Sequence, residues 1–214
     1  DVPILTNDDV DYHNMHPGFR MSLGSAIRLA FALPVIDVLE ELLRKIRPYE
    51  KVAGSANRAF EEGMDAVVEG LELHGISGLK KGFMKAIDLM NRVEYDRTNR
   101  RPRVLIVGEY LLNFHPGANH DIEDYLEHNG FEIIEAHMTD VIQKSYFYLD
   151  AQIKEYKLKK PLDKKIWFST VDKVFDMAHN MTDAIAKKHP LYTPACRMPD
   201  LVKASDPIIH HTFD

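Results

Sequence analysis

Apolar residues recur every three or four positions through the first half of the chain, which is the spacing of helices that bury one face. The first run covers residues 25–47, and Pro34 inside it marks a kink or a fresh start. Its stripe consists of Ile36, Leu39, Leu42, Leu43 and Ile46. The helix is expected to end at the segment RPYE, because the residue before Pro48 is displaced from the helical region.

Two further amphipathic helices are predicted before the first clear strand. One runs from Ser55, a residue type suited to an N-cap, to His74, and the other covers residues 77–96, with Gly75 as the stop between them. The stripes are Phe60, Met64, Val67, Val68 and Leu71 in the first and Leu79, Phe83, Ile87, Met90 and Val93 in the second. Because these stripes must be buried against something, we expect the helices to pack on the rest of the chain.

The pattern changes at residues 104–110, which read VLIVGEY. A continuous β-branched run of this kind is typical of a strand that is buried on both faces of a parallel sheet. A helix from Asn119 to Glu127 follows, and then a second strand, FEIIEAH, at residues 131–137. A strand, a helix and a strand this close together form a right-handed crossover, so the two strands are expected to be parallel.

The remaining segments complete the predicted organisation. Residues 1–22 form a loop-rich lead with a short strand at residues 2–5, residues 141–160 are helical or mixed, residues 163–188 form a long amphipathic helix, and residues 207–213 form a terminal strand. We expect the fold class to be α/β. Residues 1–100 supply the lead and three helices, packed on a Rossmann-like or flavodoxin-like lobe at residues 101–214. The chain begins with Asp1 rather than Met, and we expect it to be cut from a longer polypeptide, with the lobe truncated at its C-terminus.

Composition narrows the class of partners. The formal net charge is −6 and the sequence pI is about 6.0, so nucleic acid is not expected as a main partner, because phosphate binding needs a clustered positive surface. The two basic runs, RTNRRPR and KEYKLKKPLDKK, are interpreted as a loop flank and a solvated helix. No window has the apolar length of a membrane span. A single cysteine and no secretory signal indicate the cytoplasm.

The segment after the first predicted strand is the first candidate site. Ligands of open α/β sheets bind beyond the carboxyl ends of the strands, where Gly108, Glu109, His115 and Gly117 lie. Backbone amides at a helix start near Asn119 are suited to an anion. The segment has neither a Walker loop nor a GxGxxG motif, and Glu109 would repel a phosphate. The alternative is that Gly117 and Asn119 only shape a turn and cap a helix.

Histidines give little indication of a metal site. His115 and His120 are five residues apart, whereas zinc sites on helices favour the four-residue offset of HExxH. His210 and His211 would point to opposite faces of a strand. A zinc ion held by this chain is therefore not expected.

Cys196, the only cysteine, lies in the loop TPACRMPD. A lone cysteine is commonly a small buried hydrophobe. Here Pro194 and Pro199 make the loop rigid, and Arg197 and a following helix start form a setting that favours thiolate chemistry. One thiolate does not hold a four-iron cluster, so further ligands would have to come from elsewhere.

Several motifs together resemble one family. The segments RPYE, PRVLIVGEY, HPGAN, DIEDYLEHNGFEI and TPACRMPDLV are similar to segments of the 2-hydroxyacyl-CoA dehydratase family. The similarity is to the dehydratase-subunit-like region within large CoA-substrate-specific enzyme activase-related proteins. It covers most of residues 30–214.

The resemblance implies one part of an ATP-dependent reductive (R)-2-hydroxyacyl-CoA dehydratase system of anaerobic metabolism. In that family an ATP-hydrolysing activator with a four-iron cluster delivers one electron to a dehydratase, whose own clusters lie between Rossmann-like lobes beside the acyl-CoA. A ketyl radical then permits loss of an unactivated β-proton and of the hydroxyl. The implied partners are therefore an acyl-CoA substrate and an ATPase activator module, and the implied cofactor is a 4Fe-4S cluster.

Carried onto this sequence, the resemblance gives roles to five positions. Gly108 and Glu109 lie at the strand end, Pro116 and Asn119 precede the helix, and Cys196 is the one position suited to be a cluster ligand. Dehydratase subunits use several cysteines per cluster, so either the others lie beyond residue 214 or this branch has lost the cluster. The ATPase signature is absent, and the isolated lobe is expected to be inactive.

Two alternatives remain open at this point. The first is a non-catalytic scaffold or docking lobe in which Cys196 is buried and inert. The second is a flavodoxin-like domain that binds a small anion at the helix start near Asn119.

Overall fold

The computed structural model describes residues 22–144, 162–205 and 207–208, together with residues 153 and 156. The expected lead up to residue 21, with its strand at residues 2–5, lies outside the described residues. So do most of the segment 145–160, the side chain of Trp167, and the pair His210 and His211. Pro207 and Ile208 form a turn instead of starting the expected terminal strand.

The described chain is mostly helical and carries one small parallel sheet. Before the sheet come α1 (Leu23–Ile46), a 3-10 helix (Arg47–Tyr49) and α2 (Ser55–Asn91). The sheet consists of β1 (Arg103–Leu105) and β2 (Glu132–Ile134), and α3 (Tyr110–Phe114), α4 (Pro116–Asn119) and α5 (Ile122–His128) lie between them in sequence. After β2 come α6 (138–144), α7 (Leu162–Ala186) and α8 (Met198–Ser205).

Helix α1 is the central helix of the core. Its N-cap is Ser22, whose hydroxyl accepts a hydrogen bond of 3.0 Å from the Ser25 amide. The helix runs through Pro34, and its predicted stripe is confirmed for Leu39, Leu42, Leu43 and Ile46, while Ile36 is half-buried. It lies next to α2, α7 and β2, and its apolar side chains form one core cluster with those of α2 and α7.

Helix α2 is broken at Gly75, where φ is +59° and ψ is −142°. This confirms the predicted stop, because a side chain would be strained in that conformation. The two arms lie close together on either side of the break. A Cβ on Gly78 would stand 1.9 Å from the carbonyl oxygen of Gly70, so the contact requires glycine there.

The facing arms supply most of the remaining core. Leu79, Phe83, Ile87 and Met90 are fully buried, as their predicted stripe requires. The stripe predicted for the first arm is partly wrong, since Val68 is 48% exposed. The first arm packs mainly through small residues, so its buried face lies away from Val68. The buried residues on this face include Ala59, Gly63, Ala66 and Val67.

The two strands are parallel, as predicted. Arg103 pairs with Glu132 and Leu105 with Ile134, and the Ile106 amide donates to the Ile134 carbonyl at 2.9 Å. The expected burial of β1 on both faces is wrong: Leu105 is 57% exposed and Val107 is 76% exposed. Helix α1 packs on β2, and β1 pairs with β2 alone among the described residues.

A buried polar cluster joins the sheet to the segment RPYE. The Tyr49 hydroxyl donates to Glu132 at 2.7 Å, and the Arg97 guanidinium donates to the same carboxylate at 2.7 Å. Arg97 also stacks over the Tyr49 ring, 4.4 Å from its centre, and donates to the Lys45 carbonyl. The cluster fixes β2 against the end of α1.

Candidate functional site

A cavity of about 500 Å³ lies between α1 and the segments that follow the two strands. This volume falls in the range of small-molecule sites. From α1 the walls include Ile36, Asp37, Glu40 and Arg44, and Arg47 of the 3-10 helix follows them. The other wall residues come from the segment after β1, namely Asn113, Pro116, Asn119 and Glu123, and from the segment after β2, namely Glu135 and Met138. The sheet-side walls therefore come from the carboxyl ends of parallel strands, where ligands of α/β folds bind.

Arg44 is the centre of an ionic network in the cavity wall. Its Nε donates to Glu123 at 2.9 Å, and its Nη2 is hydrogen-bonded to Glu135. Glu40, one helical turn earlier, lies 3.4 Å from Nη1. The Glu135 side chain is only 3% exposed. One guanidinium thus joins carboxylates from α1, α5 and the end of β2.

Glu135 and Glu123 form a hydrogen-bonded pair with different proton affinities. Burial raises the pKa of Glu135 to about 7. The negative charges of Glu123 and Glu40 also raise this pKa, whereas the positive charge of Arg44 lowers it. Burial also acts on Glu123, but the charge and hydrogen bonds of Arg44 lower its pKa below the ordinary value. Of the two carboxyl groups, Glu135 is therefore the one that takes up a proton more readily.

Asp37 fixes another wall. Its buried carboxylate accepts from the backbone amides of Met138 and Thr139 at 2.9 and 3.0 Å, and from the Thr139 hydroxyl. These bonds satisfy amides at the start of α6. The cavity wall at Met138 is held in place by this cap.

Asn113 is the buried polar residue of the site that lacks a partner. It is 8% exposed and lines the cavity, and its Oδ1 has no hydrogen-bond partner. Gly108 leaves room for this amide, since a Cβ on Gly108 would lie 3.2 Å from Oδ1. A buried acceptor without a donor is costly, and a ligand that donates a hydrogen bond to it would remove that cost.

The segment expected to be a loop after β1 contains two short helices. Glu109 caps α3 by accepting from the Leu111 amide at 3.1 Å, and His115 caps α4 by accepting from the Ala118 amide at 3.2 Å. These two predicted site residues therefore act locally on the backbone. Gly117 lies against the His115 ring, where a Cβ would be 3.1 Å from Cε1.

Of the predicted site residues, Pro116 and Asn119 line the cavity. Asn119 ends α4, whereas the sequence predicted that a helix starts there. His120 and Asp121 follow with positive φ angles of 56° and 54°, and α5 begins after them. The first turn of α5 carries Glu123 and Asp124, and their charges disfavour an anion at that helix end.

Cys196 is exposed in the loop before α8, which contradicts the alternative in which it is buried. Its neighbour Arg197 donates to Asp183 of α7 at 2.7 Å. Within the described part of the chain, no group of three or more His, Cys, Asp or Glu residues is arranged to hold a metal ion. The donor set, with one cysteine in the whole sequence, does not fit a four-iron cluster held by this chain alone.

A second polar cluster lies on the neighbouring face of α1, and Asp37 borders both it and the cavity. Tyr192 donates to Asp183, and Lys45 of α1 donates to the Leu191 carbonyl at 3.0 Å. His179 of α7 is 5% exposed, and burial lowers its pKa to about 4, with a further contribution from Arg197. The space between these groups is only about 10 Å³, so the cluster joins α7 and the following loop to α1.

The fold and this cavity define the class of the chain: a largely helical α/β protein with a carboxylate-rich cavity at the carboxyl ends of a parallel strand pair. Comparison with protein-family models, curated proteins and solved structures finds no match. Among the described helices, none combines the length and apolar character needed to cross a membrane.

Proposed function

We propose that this chain is one lobe of a 2-hydroxyacyl-CoA dehydratase or activase-related protein, and that its cavity receives the acyl end of a CoA ester. The observation that carries the proposal is the position of the cavity. Its walls follow β1 and β2 directly, and Pro116 and Asn119 belong to the motif HPGAN on which the resemblance rests. A Rossmann-like arrangement of the complete lobe is part of the same proposal.

The acyl end of such a substrate matches the chemistry of the cavity. A 2-hydroxyacyl group carries a hydroxyl donor, and Asn113 offers a buried acceptor without a partner. The apolar carbons of the acyl chain would contact Ile36 and Met138. The phosphates of CoA would remain outside, because Asp121 and Asp124 at the rim are acidic.

Ligand binding tests this proposal. The probe is a pantetheine analogue that carries a 2-hydroxypentanoyl group, with NH in place of the thioester sulfur so that the acyl group is not transferred. We expect titration calorimetry to detect binding, and Asn113→Ala to weaken it about fivefold, because one hydrogen bond contributes about 1 kcal/mol. Asn57→Ala, at an exposed position in the first turn of α2, is the matched control. Equal binding by both variants would overturn the assignment of the cavity.

The proposed iron-sulfur cluster has a separate test. Cys196 would be one ligand of a cluster completed by thiolates from another chain or from more of the same polypeptide. Anaerobic reconstitution of the chain alone is therefore expected to give less than one cluster per chain, in iron and in acid-labile sulfide. About four irons per chain, lost in Cys196→Ser, would show that this chain completes a cluster by itself.

A docking lobe is the second candidate function, and the surface of β1 favours it. Leu105 at the end of β1 and Val107 two residues later are exposed, and the sheet has two strands in the described residues. Exposed apolar side chains on an open sheet edge are typical of a surface that another segment covers. Val107→Asp is expected to reduce assembly with a partner lobe in pull-down and to leave probe binding unchanged. Loss of probe binding in this variant would contradict a separate docking role.

A further inference from the structure

The charges that line the cavity constrain the ligand more closely than its volume does. Six carboxyl side chains and two arginine side chains of the described residues line it. The acidic members are Asp37, Glu40, Asp121, Glu123, Asp124 and Glu135. The walls thus carry an excess of negative charge, even when Glu135 is protonated.

Both arginines are already occupied by carboxylates. Arg44 binds Glu123 and Glu135, as described above. Arg47 donates to both oxygens of Glu127, at 2.7 and 2.8 Å. A bidentate pair of this kind leaves little capacity for a ligand anion. A carboxylate that entered the cavity would have to displace one of these pairs and face the other carboxyl groups.

Asn113 is an observation independent of the acidic groups. Its buried Oδ1 is an acceptor without a partner, so it requires a donor from the ligand. An ammonium group supplies up to three N–H donors and a positive charge, whereas a carboxylate supplies neither. The 2-hydroxyl of the acyl group can supply this donor as well, so Asn113 indicates that a ligand binds here, whereas the preference for a positive charge comes from the carboxyl groups.

We propose that the cavity selects acyl groups whose far end is cationic, an ammonium group above all, over those that end in a carboxylate. This inference rests on the proposed function and names the substrate class of the same site. Glu135, Glu123 and Glu40 are the specificity-determining residues, and Asn113 accepts a hydrogen bond from the ligand. Asp37 already accepts hydrogen bonds from Met138 and Thr139 at the start of α6, so it affects the ligand only through its charge.

Three probes with the same five-carbon acyl chain test the selection. They are pantetheine analogues with NH in place of sulfur, which carry 2-hydroxypentanoyl, 5-amino-2-hydroxypentanoyl and 4-carboxy-2-hydroxybutanoyl groups. The expected order of affinity is the amine, then the neutral chain, then the carboxylate. The amine is expected to bind at least about tenfold more tightly than the carboxylate at low salt, because like charges in contact are strongly unfavourable.

Variants and pH identify the source of the preference. Glu135→Gln is expected to reduce the amine-to-carboxylate ratio several-fold, and Glu94→Gln, an exposed carboxylate on the loop after α2, is the control that leaves it unchanged. Glu40→Gln, which is half-buried, provides the same test if Glu135→Gln folds poorly. In the wild type the ratio is expected to fall from pH 8 to pH 6 as Glu135, facing Arg44, Glu40 and Glu123, takes up a proton.

The outcomes separate the two proposals. The predicted order together with its loss in Glu135→Gln supports the inference. A carboxylate probe that binds as tightly as the amine, while Asn113→Ala still weakens binding, overturns the charge selection and leaves the cavity as the site. If Asn113→Ala changes the binding of no probe, the proposed function fails and the inference fails with it.

Discussion

At the scale of single residues, several ionisable side chains are buried, and burial shifts the pKa of some of them. Glu135 and Glu132 lie near each other in sequence, and both carboxylates are almost fully buried against arginines. A buried pair contributes little net stability, but removal of one partner leaves an uncompensated charge. We therefore expect different effects when each glutamate is replaced by glutamine. Glu135 has a raised pKa, whereas Glu132 accepts hydrogen bonds from Tyr49 and Arg97.

Glu135→Gln is expected to make stability less dependent on pH. The pKa of this carboxyl is about 7 in the folded protein and near 4.5 when unfolded, so the folded state binds the extra proton and wild-type stability falls as pH rises through that window. The glutamine mimics the protonated form. In urea denaturation, the free energy of unfolding of the variant relative to that of the wild type should rise by roughly 2 kcal/mol from pH 5 to pH 8. A constant difference across this range would contradict a raised pKa.

Glu132→Gln is expected to destabilise the protein by about 3 kcal/mol. The substitution removes the charge that both Tyr49 and Arg97 contact, and the half-buried Arg97 loses its carboxylate and keeps the Lys45 carbonyl and the Tyr49 ring. Glu94→Gln provides the matched control, because the Glu94 side chain is 76% exposed and its pair with Lys51 spans 3.6 Å. An exposed pair contributes at most about 1 kcal/mol. Equal losses in urea denaturation would show that the buried cluster has no special role.

At the scale of elements, helix α2 shows how far local pattern predicts structure. The stop at Gly75 and the stripe of the second arm follow from residue type and spacing. The close contact between the arms depends on glycines, and the three-to-four-residue spacing of apolar residues gives no information about them. Gly82 is such a case in addition to Gly78, since a Cβ there would lie 2.2 Å from the Ala66 carbonyl oxygen.

Gly82→Ala is therefore expected to destabilise the protein by about 2 kcal/mol, although alanine favours helix by roughly 1 kcal/mol. The obstructing atoms belong to the backbone and do not move aside cheaply. Gly24→Ala, in the first turn of α1, is the control: its Cβ would meet only the Ser22 hydroxyl oxygen, at 3.7 Å. Thermal unfolding should show a lower Tm for the first variant and an unchanged or higher Tm for the second.

The segment after β1 marks the limit of this kind of prediction. A loop with Gly108 and Gly117 was expected, and α3 and α4 are found there, capped by Glu109 and His115. The pattern of β1 was interpreted as buried, because β-branched runs are usual in covered strands. Burial depends on which elements cover a strand, and a run of apolar residues does not specify that.

At the scale of the whole molecule, the parallel strand pair and the amphipathic helices could be predicted, whereas the cavity network could not. Arg44 and Glu135 are 91 residues apart, and no local period links them. One signal was available: Glu40 and Arg44 form an i,i+4 pair on α1, but so do Glu41 and Lys45, and the spacing alone does not single out the first pair. The motif HPGAN, on which the family resemblance rests in part, pointed to Pro116 and Asn119, which line the cavity.

Acid should destabilise the molecule through its buried histidines. Burial lowers the pKa of His179 and of His189 to about 4, below the value of about 6.5 in the unfolded chain. The unfolded state therefore binds protons first, and the contribution of these residues is present above pH 6.5 and is lost as pH falls towards 4. His179→Gln should reduce the loss of stability between pH 6.5 and pH 4. An unchanged pH profile would show that His179 protonates freely in the folded protein.

The central claim is that the cavity between α1 and the segments after β1 and β2 is the ligand site. Hydrogen–deuterium exchange with and without the 2-hydroxypentanoyl pantetheine analogue tests it most directly. We predict slower exchange on binding in residues 110–124 and 135–140 and little change around Cys196. Protection confined to the Cys196 loop, or the absence of protection at saturating probe, would contradict the account.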